Sequence, residues 1–302
     1  MVSGLHVPLV TPFDENGAVD LAALERLAEE VLADGADGLV ALSTTAEASS
    51  LDERERDAIV AVLARVAVDR GAALTVGAGT NDTRTTSARH EALADVEGVT
   101  AALAVVPYYV RPSEPAIVAH FEAVAARSPV PIVLYNIPYR TGSGLGAGAL
   151  LELAGTDGIV GLKQAVNGLD ADTLRLLSCA PPGFAVLCGD DPFILPLMLM
   201  GARGAIAASA HLCTERFAAL VAAAAAGRVD EAREQAEALL ALVLALFAEP
   251  SPAVLKAMLH EAGRIATPAL RMPLQAASEA GLERARRSAP SRWSARAPAR
   301  AR

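Results

Sequence analysis

The chain has 302 residues, of which 53% are hydrophobic and 20% are charged, and its formal net charge is -9. This length suits one large α/β domain or two small ones, and the negative charge argues against a nucleic-acid-binding surface. Three cysteines without a C-x-x-C pair favour a reducing compartment, and neither a signal peptide nor an apolar stretch of about twenty residues is recognisable. We therefore expect a cytoplasmic enzyme that does not enter a membrane.

Short apolar runs bounded by turn residues predict eight strands, at 5–10, 38–42, 73–77, 101–106, 131–135, 159–162, 184–187 and 204–208. Amphipathic stretches between them predict helices, at 21–32, 52–68, 115–126, 170–177 and 215–226. Continuously hydrophobic strands that alternate with helices predict an α/β fold, a (β/α)8 TIM barrel over residues 1–226. A doubly wound open sheet is the alternative, but no G-x-G-x-x-G motif follows the first strand to support dinucleotide binding.

The chain continues beyond the eighth predicted unit. Helices are predicted at 230–247, 252–262 and 274–285, and together they would form a C-terminal helical domain over residues 227–285. The last residues, 286–302, contain several arginines and no acidic residue, which is typical of a disordered basic tail.

Only two lysines occur in the chain, and one of them, Lys163, closes the apolar run of the sixth predicted strand. Burial at such a position disfavours the ammonium form and lowers the pKa of the amine, which is the condition for attack on a ketone and formation of a Schiff base. The alternative is an ordinary lysine at a strand end whose charged group reaches solvent or an acidic partner.

Polar residues also follow the other predicted strands. In a parallel barrel the C-terminal ends of the strands meet at one mouth, so these side chains are expected to face the same site as Lys163. Hydroxyl groups, phenols and a guanidinium at this mouth would suit proton transfer and the binding of a carboxylate. These residues are Thr44 and Thr45 after the second strand, Tyr109 after the fourth, and Tyr135 and Arg140 at the fifth.

Several short motifs stand in the same order as in a known family: T-P-F at 11–13, T-T-x-E at 44–47, V-P-Y-Y at 106–109, Y-N-I-P at 135–138, G-L-K at 161–163, G-D-D at 189–191 and L-R-M-P-L at 270–274. On these motifs the chain resembles, over roughly residues 5–275, the dihydrodipicolinate synthase and N-acetylneuraminate lyase family of pyruvate-dependent class I aldolases. The resemblance implies a (β/α)8 barrel with a C-terminal helical domain, usually assembled as a homotetramer made of two tight dimers.

The resemblance also implies roles for individual residues. Lys163 would form the imine with pyruvate, and Tyr135 would move protons, aligned by Thr45 and by Tyr109 from a neighbouring subunit. Thr44 and Thr45 would hold the carboxylate of pyruvate. Backbone groups near Gly189 and Ile206 would complete the pocket, and neither a metal nor an organic cofactor would be required.

Arg140 separates the branches of the family. The pattern Y-N-x-P-x-R-T-G resembles the synthase branch, in which this arginine binds the carboxylate of aspartate semialdehyde. The expected product is then 4-hydroxy-tetrahydrodipicolinate. The alternatives are another pyruvate-dependent aldolase or keto-acid dehydratase of the same family, acting on a 2-keto-3-deoxy acid or N-acetylneuraminate, and a barrel that binds a keto acid without turnover.

The chain departs from the family pattern at several positions. Ser43 and Ala46 replace glycines beside the threonine pair, and Gln164 stands where synthases commonly have Glu. His211 replaces an Asn and is interpreted either as a hydrogen-bonded loop residue or as a new contact to the acceptor. Thr85 occupies an acidic position of the lysine-feedback site of some synthases, so we do not predict inhibition by lysine.

Overall fold

The computed structural model describes residues 2–289 and contains a closed barrel of eight parallel strands in sequence order. The barrel closes where β8 pairs with β1, with Ile206 opposite His6. This arrangement confirms the predicted (β/α)8 barrel and excludes the doubly wound sheet. The strands are β1 (Gly4–Pro8), β2 (Gly38–Ala41), β3 (Ala73–Gly77), β4 (Val99–Val105), β5 (Ile132–Asn136), β6 (Ile159–Gln164), β7 (Ala185–Cys188) and β8 (Gly204–Ile206).

Nine helices lie in the barrel part and three follow it within residues 2–289. The first nine are α1 (Leu21–Ala33), α2 (Glu53–Arg70), α3 (Thr83–Glu91), α4 (Glu114–Ala125), α5 (Pro138–Thr141), α6 (Ala147–Leu153), α7 (Ala171–Cys179), α8 (Ile194–Leu199) and α9 (Thr214–Ala225). The last three are α10 (Val229–Leu246), α11 (Ala253–Glu261) and α12 (Glu279–Ser288). None of the helices within this range is long and apolar enough to cross a membrane.

Side-chain alternation along β5 and β6 determines which residues point into the barrel. On β5, Val133 and Tyr135 belong to the apolar cluster inside the barrel, whereas Leu134 packs in the cluster beneath the surrounding helices. On β6, Leu162 packs with that outer cluster, so Lys163 points inward. Because Tyr135 and Lys163 are opposite each other in the β5–β6 register, their side chains enter the barrel side by side.

The third C-terminal helix was predicted at the wrong place. It was expected over 274–285, but α12 begins at Glu279 and ends at Ser288. Pro268 and Pro273 interrupt the preceding segment, since proline cannot donate a backbone hydrogen bond and disfavours helical geometry in the residue before it. Ser278 then caps α12 by accepting a hydrogen bond from the Gly281 N–H. The helix extends beyond the predicted end at residue 285, and residues 290–302 of the predicted tail lie outside the described residues.

Candidate active site

A cavity of about 590 Å³ opens at the C-terminal ends of the strands. This is the end of a parallel barrel at which active sites form. Seven of the eight predicted site residues line it: Thr44, Thr45, Tyr135, Arg140, Lys163, Gly189 and Ile206. The eighth, Tyr109, does not.

Lys163 presents its amine to this cavity from the buried end of β6. Its Nζ lies 4.2 Å from the centroid of the Tyr135 ring, within the range of a cation–π contact. Burial lowers the pKa of Lys163 to about 8, and the carboxylates of Asp191 and Asp190 oppose this shift. A substantial fraction of the amine is therefore neutral near physiological pH, and the neutral amine is the form that attacks a ketone.

Because Gly189 has no side chain, there is room beside it for the side chain of Lys163. A Cβ atom at this position would stand 2.9 Å from Cγ and 3.0 Å from Cε of Lys163, closer than such atoms normally approach. The sequence suggested only a backbone contact for Gly189. The structure shows in addition that a side chain here would displace the amine.

Tyr135 is buried beside Lys163 and also lines the cavity. Burial raises the pKa of its hydroxyl, and the Arg140 guanidinium and a hydrogen bond with the Thr44 side chain partly oppose this rise. The phenol is therefore protonated throughout the physiological range. It can donate a hydrogen bond, or pass its proton to a stronger base that forms beside it.

The two threonines lie in a short 3-10 turn, Thr44–Ala46, directly after β2. The Thr44 side chain is exposed to the cavity, and Thr45 is buried beside it. The Thr11 hydroxyl supports the turn by donating a hydrogen bond of 2.7 Å to the Ala46 carbonyl oxygen. This arrangement places hydroxyl groups and backbone amides at one side of the mouth.

Arg140 lies on the opposite side of the mouth, on the single turn of α5. Its guanidinium is exposed and stands 5.8 Å from the centroid of the Tyr139 ring. The Tyr139 hydroxyl in turn donates a hydrogen bond of 3.3 Å to Asp190. The guanidinium can therefore bind a negatively charged group that enters from solvent. The Tyr139 ring forms the wall of the cavity beside it.

Two acidic residues after β7 had been noted only as part of a motif and not as site residues. Asp191 is buried, and burial raises its pKa to about 6, although it accepts a hydrogen bond of 2.7 Å from the Ser209 N–H. Asp190 accepts a hydrogen bond of 2.5 Å from the Asn167 N–H. Both carboxylates line the cavity and favour a positive charge on Lys163.

Tyr109 points away from the cavity of its own chain. Its side chain is 87% exposed, and its backbone adopts φ = 71°, an uncommon value for a residue other than glycine. The expected contribution of Tyr109 to the site of a neighbouring subunit stays a prediction.

Two of the departures from the family pattern, Gln164 and His211, are not among the residues that line the cavity. The side chain of Gln164 accepts a hydrogen bond of 3.0 Å from Asn136 and donates one of 2.9 Å to Thr173. His211 is fully buried, accepts a hydrogen bond from the Val10 N–H at 3.1 Å and pairs through Nδ1 with the Ala208 carbonyl oxygen at 2.8 Å. His211 is therefore the hydrogen-bonded loop residue of the two interpretations.

Part of the cavity wall comes from beyond the barrel. Leu244 and Phe247, at the end of α10, and Ser251, before α11, line the mouth. Sequence reasoning did not assign these residues to the site, because it looked for site residues only at the ends of strands. Within residues 2–289, no cluster of three or more His, Cys, Asp or Glu side chains has the arrangement of a metal site.

Comparison with known proteins agrees with this geometry. Residues 1–289 match the family model described as the Dihydrodipicolinate synthetase family. The 4-hydroxy-tetrahydrodipicolinate synthase of Moorella thermoacetica is 40% identical over 270 residues, which cover 89% of this chain and 91% of the relative. That of Neisseria meningitidis serogroup C is 35% identical over 286 residues, covering 95% and 97%.

A solved structure shares the whole architecture. The chloride-inhibited dihydrodipicolinate synthase from Acinetobacter baumannii, complexed with pyruvate, superposes with a TM-score of 0.91 at 34% sequence identity. The superposition covers 95% of this chain and 98% of the other. The chain therefore belongs to the dihydrodipicolinate synthetase family.

Proposed function

We propose that the protein is a lyase that condenses pyruvate with L-aspartate semialdehyde through a Schiff base, giving 4-hydroxy-tetrahydrodipicolinate for lysine and diaminopimelate biosynthesis. The observation that carries this proposal is the buried amine of Lys163, which has a lowered pKa of about 8 and lies beside the Tyr135 ring at the barrel mouth. The names of the relatives in Moorella and Neisseria support the same reaction.

The first step is imine formation at Lys163. Its neutral amine attacks the ketone carbon of pyruvate, the carbinolamine loses water, and a positively charged iminium results. The Asp190 and Asp191 carboxylates, which favour positive charge at this nitrogen, stabilise that iminium. The iminium accepts the electron pair left when the methyl group loses a proton, and the product is an enamine with a nucleophilic carbon.

Tyr135 serves as the proton carrier. Its phenol donates a proton to the hydroxyl that leaves the carbinolamine, and the resulting phenolate takes the proton that the methyl group loses. The restored phenol then protonates the oxygen of the aldehyde. The hydrogen bond with Thr44 connects this phenol to the turn after β2. Thr45 aligns the carrier, and Tyr109 of a neighbouring subunit continues the path to solvent.

The keto acid is held by its carboxylate. The hydroxyls and backbone amides of Thr44 and Thr45 donate hydrogen bonds to this carboxylate at one side of the mouth. Backbone groups near Gly189 and Ile206 form the other wall of the pocket. The ketone carbon is then held next to the amine, which replaces a random encounter by a fixed geometry.

Arg140 selects the acceptor. Its exposed guanidinium binds the carboxylate of the semialdehyde as the aldehyde carbon approaches the enamine. A carbon–carbon bond forms, and the aldehyde oxygen takes a proton. The amino group of the acceptor then attacks the imine carbon, which closes the ring and releases the amine of Lys163.

The test is borohydride trapping with pyruvate, read by intact mass and peptide mapping. Lys163 and Lys256 are the only lysines that could carry the reduced adduct, and Lys256 is fully buried in an ion pair; peptide mapping separates both from the terminal amine. One adduct on Lys163 is expected, and no adduct in a folded sample would refute the imine mechanism. Exchange of the pyruvate methyl protons with deuterium distinguishes a catalyst from a barrel that only binds keto acids.

An aldehyde screen then tests the acceptor. Turnover with aspartate semialdehyde well above that with sugar-acid aldehydes is expected. The reverse order would assign the chain to another pyruvate aldolase or keto-acid dehydratase of the same family.

The remaining expectations concern the whole protein. We hold that the barrel, residues 1–226, and the helical domain, residues 227–285, act as one unit in a cytoplasmic homodimer or homotetramer. Pyruvate and the aldehyde are its only required reactants, without a metal or an organic cofactor.

A further inference from the structure

The turn after β2 has an unusual backbone at both ends. Leu42 and Glu47 adopt φ values of 53° and 55°, the left-handed region that favours glycine. Between them lie Thr44 and Thr45, to which the proposed function assigns the carboxylate of pyruvate. A conformation of this kind persists only when surrounding contacts hold it, and the Glu47 side chain makes such contacts.

The Glu47 carboxylate binds two segments of the C-terminal part of the chain. Its Oε1 lies 2.8 Å from Nζ of Lys256, on α11, and its Oε2 accepts a hydrogen bond of 2.8 Å from the Arg271 backbone N–H. The Lys256 and Glu47 side chains are 0% and 1% exposed, and neither lines the cavity. This ion pair therefore supports the turn from its buried side, away from the cavity.

A second connection runs through the segment after β1. Nζ of Lys256 also donates a hydrogen bond of 2.9 Å to the Thr11 carbonyl oxygen, and the Thr11 hydroxyl donates one of 2.7 Å to the Ala46 carbonyl oxygen. The turn is thus held twice, through the side chain of Glu47 and through the backbone of Ala46. Both connections meet at the same ammonium group.

Arg271 binds the part of the chain that follows the turn. Its guanidinium donates hydrogen bonds of 2.5 and 2.6 Å to Glu55 near the start of α2, and one of 2.8 Å to the Ser50 carbonyl oxygen. The Phe13 ring packs against both cations, 4.1 Å from Nζ of Lys256 and 4.6 Å from Cζ of Arg271. The aromatic face favours positive charge at both places.

We propose that Glu47 and Lys256 are a positioning pair that holds the Thr44–Thr45 turn where it binds the carboxylate of a keto acid beside Lys163. This inference rests on the proposed function and deepens it, since it makes α11 a part of the pyruvate site. Loss of one partner leaves a buried charge unpaired, so the turn must move or admit water. Lys163 on β6 stays in place, because it contacts neither residue of the pair.

The test replaces Glu47 by Gln, which keeps the size of the side chain and removes its charge. The pyruvate concentration for half-maximal borohydride trapping at Lys163 is expected to rise about tenfold or more, because a small displacement of a binding group has an effect of this order. The KM for the aldehyde is expected to stay within about twofold, since Arg140 lies on the other side of the mouth. A general loss of folding would not separate the two substrates in this way.

Three further variants and a control keep the test decisive. Lys256→Met leaves Lys163 as the only lysine, and the double variant Glu47→Gln/Lys256→Met removes both charges, so its defect should be smaller than the sum of the two single defects. Thr11→Val removes only the hydroxyl bond to Ala46 and tests the turn if the charge variants do not fold. Glu30→Gln is the matched control, because it breaks an ion pair with Arg264 that does not include the turn.

The outcomes separate this inference from the proposed function. A raised pyruvate requirement in Glu47→Gln, or in Thr11→Val where the former does not fold, together with an unchanged Glu30→Gln, supports the positioning pair. An unchanged pyruvate requirement in the variant that folds overturns it while the wild type is still trapped on Lys163. Absence of trapping in the folded wild type overturns the proposed function, and this inference with it.

Discussion

Gly189 illustrates how a residue without a side chain can determine where a reactive group lies. The strand-end pattern was sufficient to find Lys163, Tyr135 and the threonine pair, because each directly follows or closes an apolar run. It could not show that the lysine passes over Gly189, since that contact depends on the distance between two neighbouring strands.

Replacing Gly189 by Ala is expected to slow imine formation by about tenfold or more, because the new methyl group displaces the lysine side chain from its position. A destabilisation of about 1–3 kcal/mol is expected from the overpacking. Single-turnover trapping with pyruvate and urea unfolding measure the two effects. Gly148→Ala is the matched control, because a Cβ there meets nothing within 4 Å and the residue lies in α6; equal rates in both variants would contradict the steric role.

Arg140→Ala is expected to raise the KM for aspartate semialdehyde by at least about tenfold, because a charge-assisted hydrogen bond is lost. Loss of this positive charge also raises the pKa of Lys163, so the pH profile of imine formation should shift to higher pH. Steady-state kinetics with several aldehydes measures the first effect. Arg140→Lys retains the charge and is expected to restore the pH profile without restoring the KM; equal losses for all aldehydes would contradict the carboxylate contact.

At the scale of elements, the eight strands were predictable because each is a short apolar run closed by turn residues. Helix α3 lacked such a signal: its buried positions are Thr86, Ser87 and His90, so no apolar stripe marks it. Helix α12 was misplaced because its start depends on the Ser278 cap and on the prolines before it rather than on hydrophobic period. Local patterns therefore identified the strands better than the polar or capped helices.

His211 forms hydrogen bonds with Val10, which follows β1, and with Ala208, which follows β8. Its titration predicts that the protein loses stability in acid. Burial lowers its pKa to about 4, so between pH 6.5 and 4 the unfolded chain binds a proton that the folded chain excludes. The contribution is fully present above pH 6.5 and declines by up to about 2–3 kcal/mol as the pH falls through this window. Protonation would remove the acceptor for the Val10 N–H.

Urea unfolding between pH 7 and pH 4 measures this effect. His211→Asn supplies an amide oxygen and an amide N–H in a similar place but does not titrate, so its stability should fall less steeply with pH. Other buried histidines such as His90 remain in both proteins and contribute equally. Identical slopes for the two proteins would contradict the assignment to His211.

At the scale of the whole molecule, the role proposed for the exposed Tyr109 makes activity depend on the assembly of subunits. Tyr109→Phe is expected to lower turnover by about a hundredfold or more, the typical effect of a lost proton-transfer group, without changing the free energy of unfolding. Turnover and sedimentation at several protein concentrations measure the effect, and wild-type activity should fall on dilution if the subunits separate. Tyr108→Phe is the control for loss of a phenol, and unchanged turnover in Tyr109→Phe would remove Tyr109 from the mechanism.

The sequence by itself determined the number and order of the strands and the residues at their ends, because alternation and apolar runs are properties of neighbouring residues. It also carried the motifs of the family that the comparisons confirm. Only the tertiary structure decided what lies behind those residues: the pairing of Glu47 with Lys256, 209 positions apart, and the contribution of α10 to the cavity wall. Such contacts depend on how α10 and α11 pack against the barrel, and no local pattern encodes the partner of a buried charge.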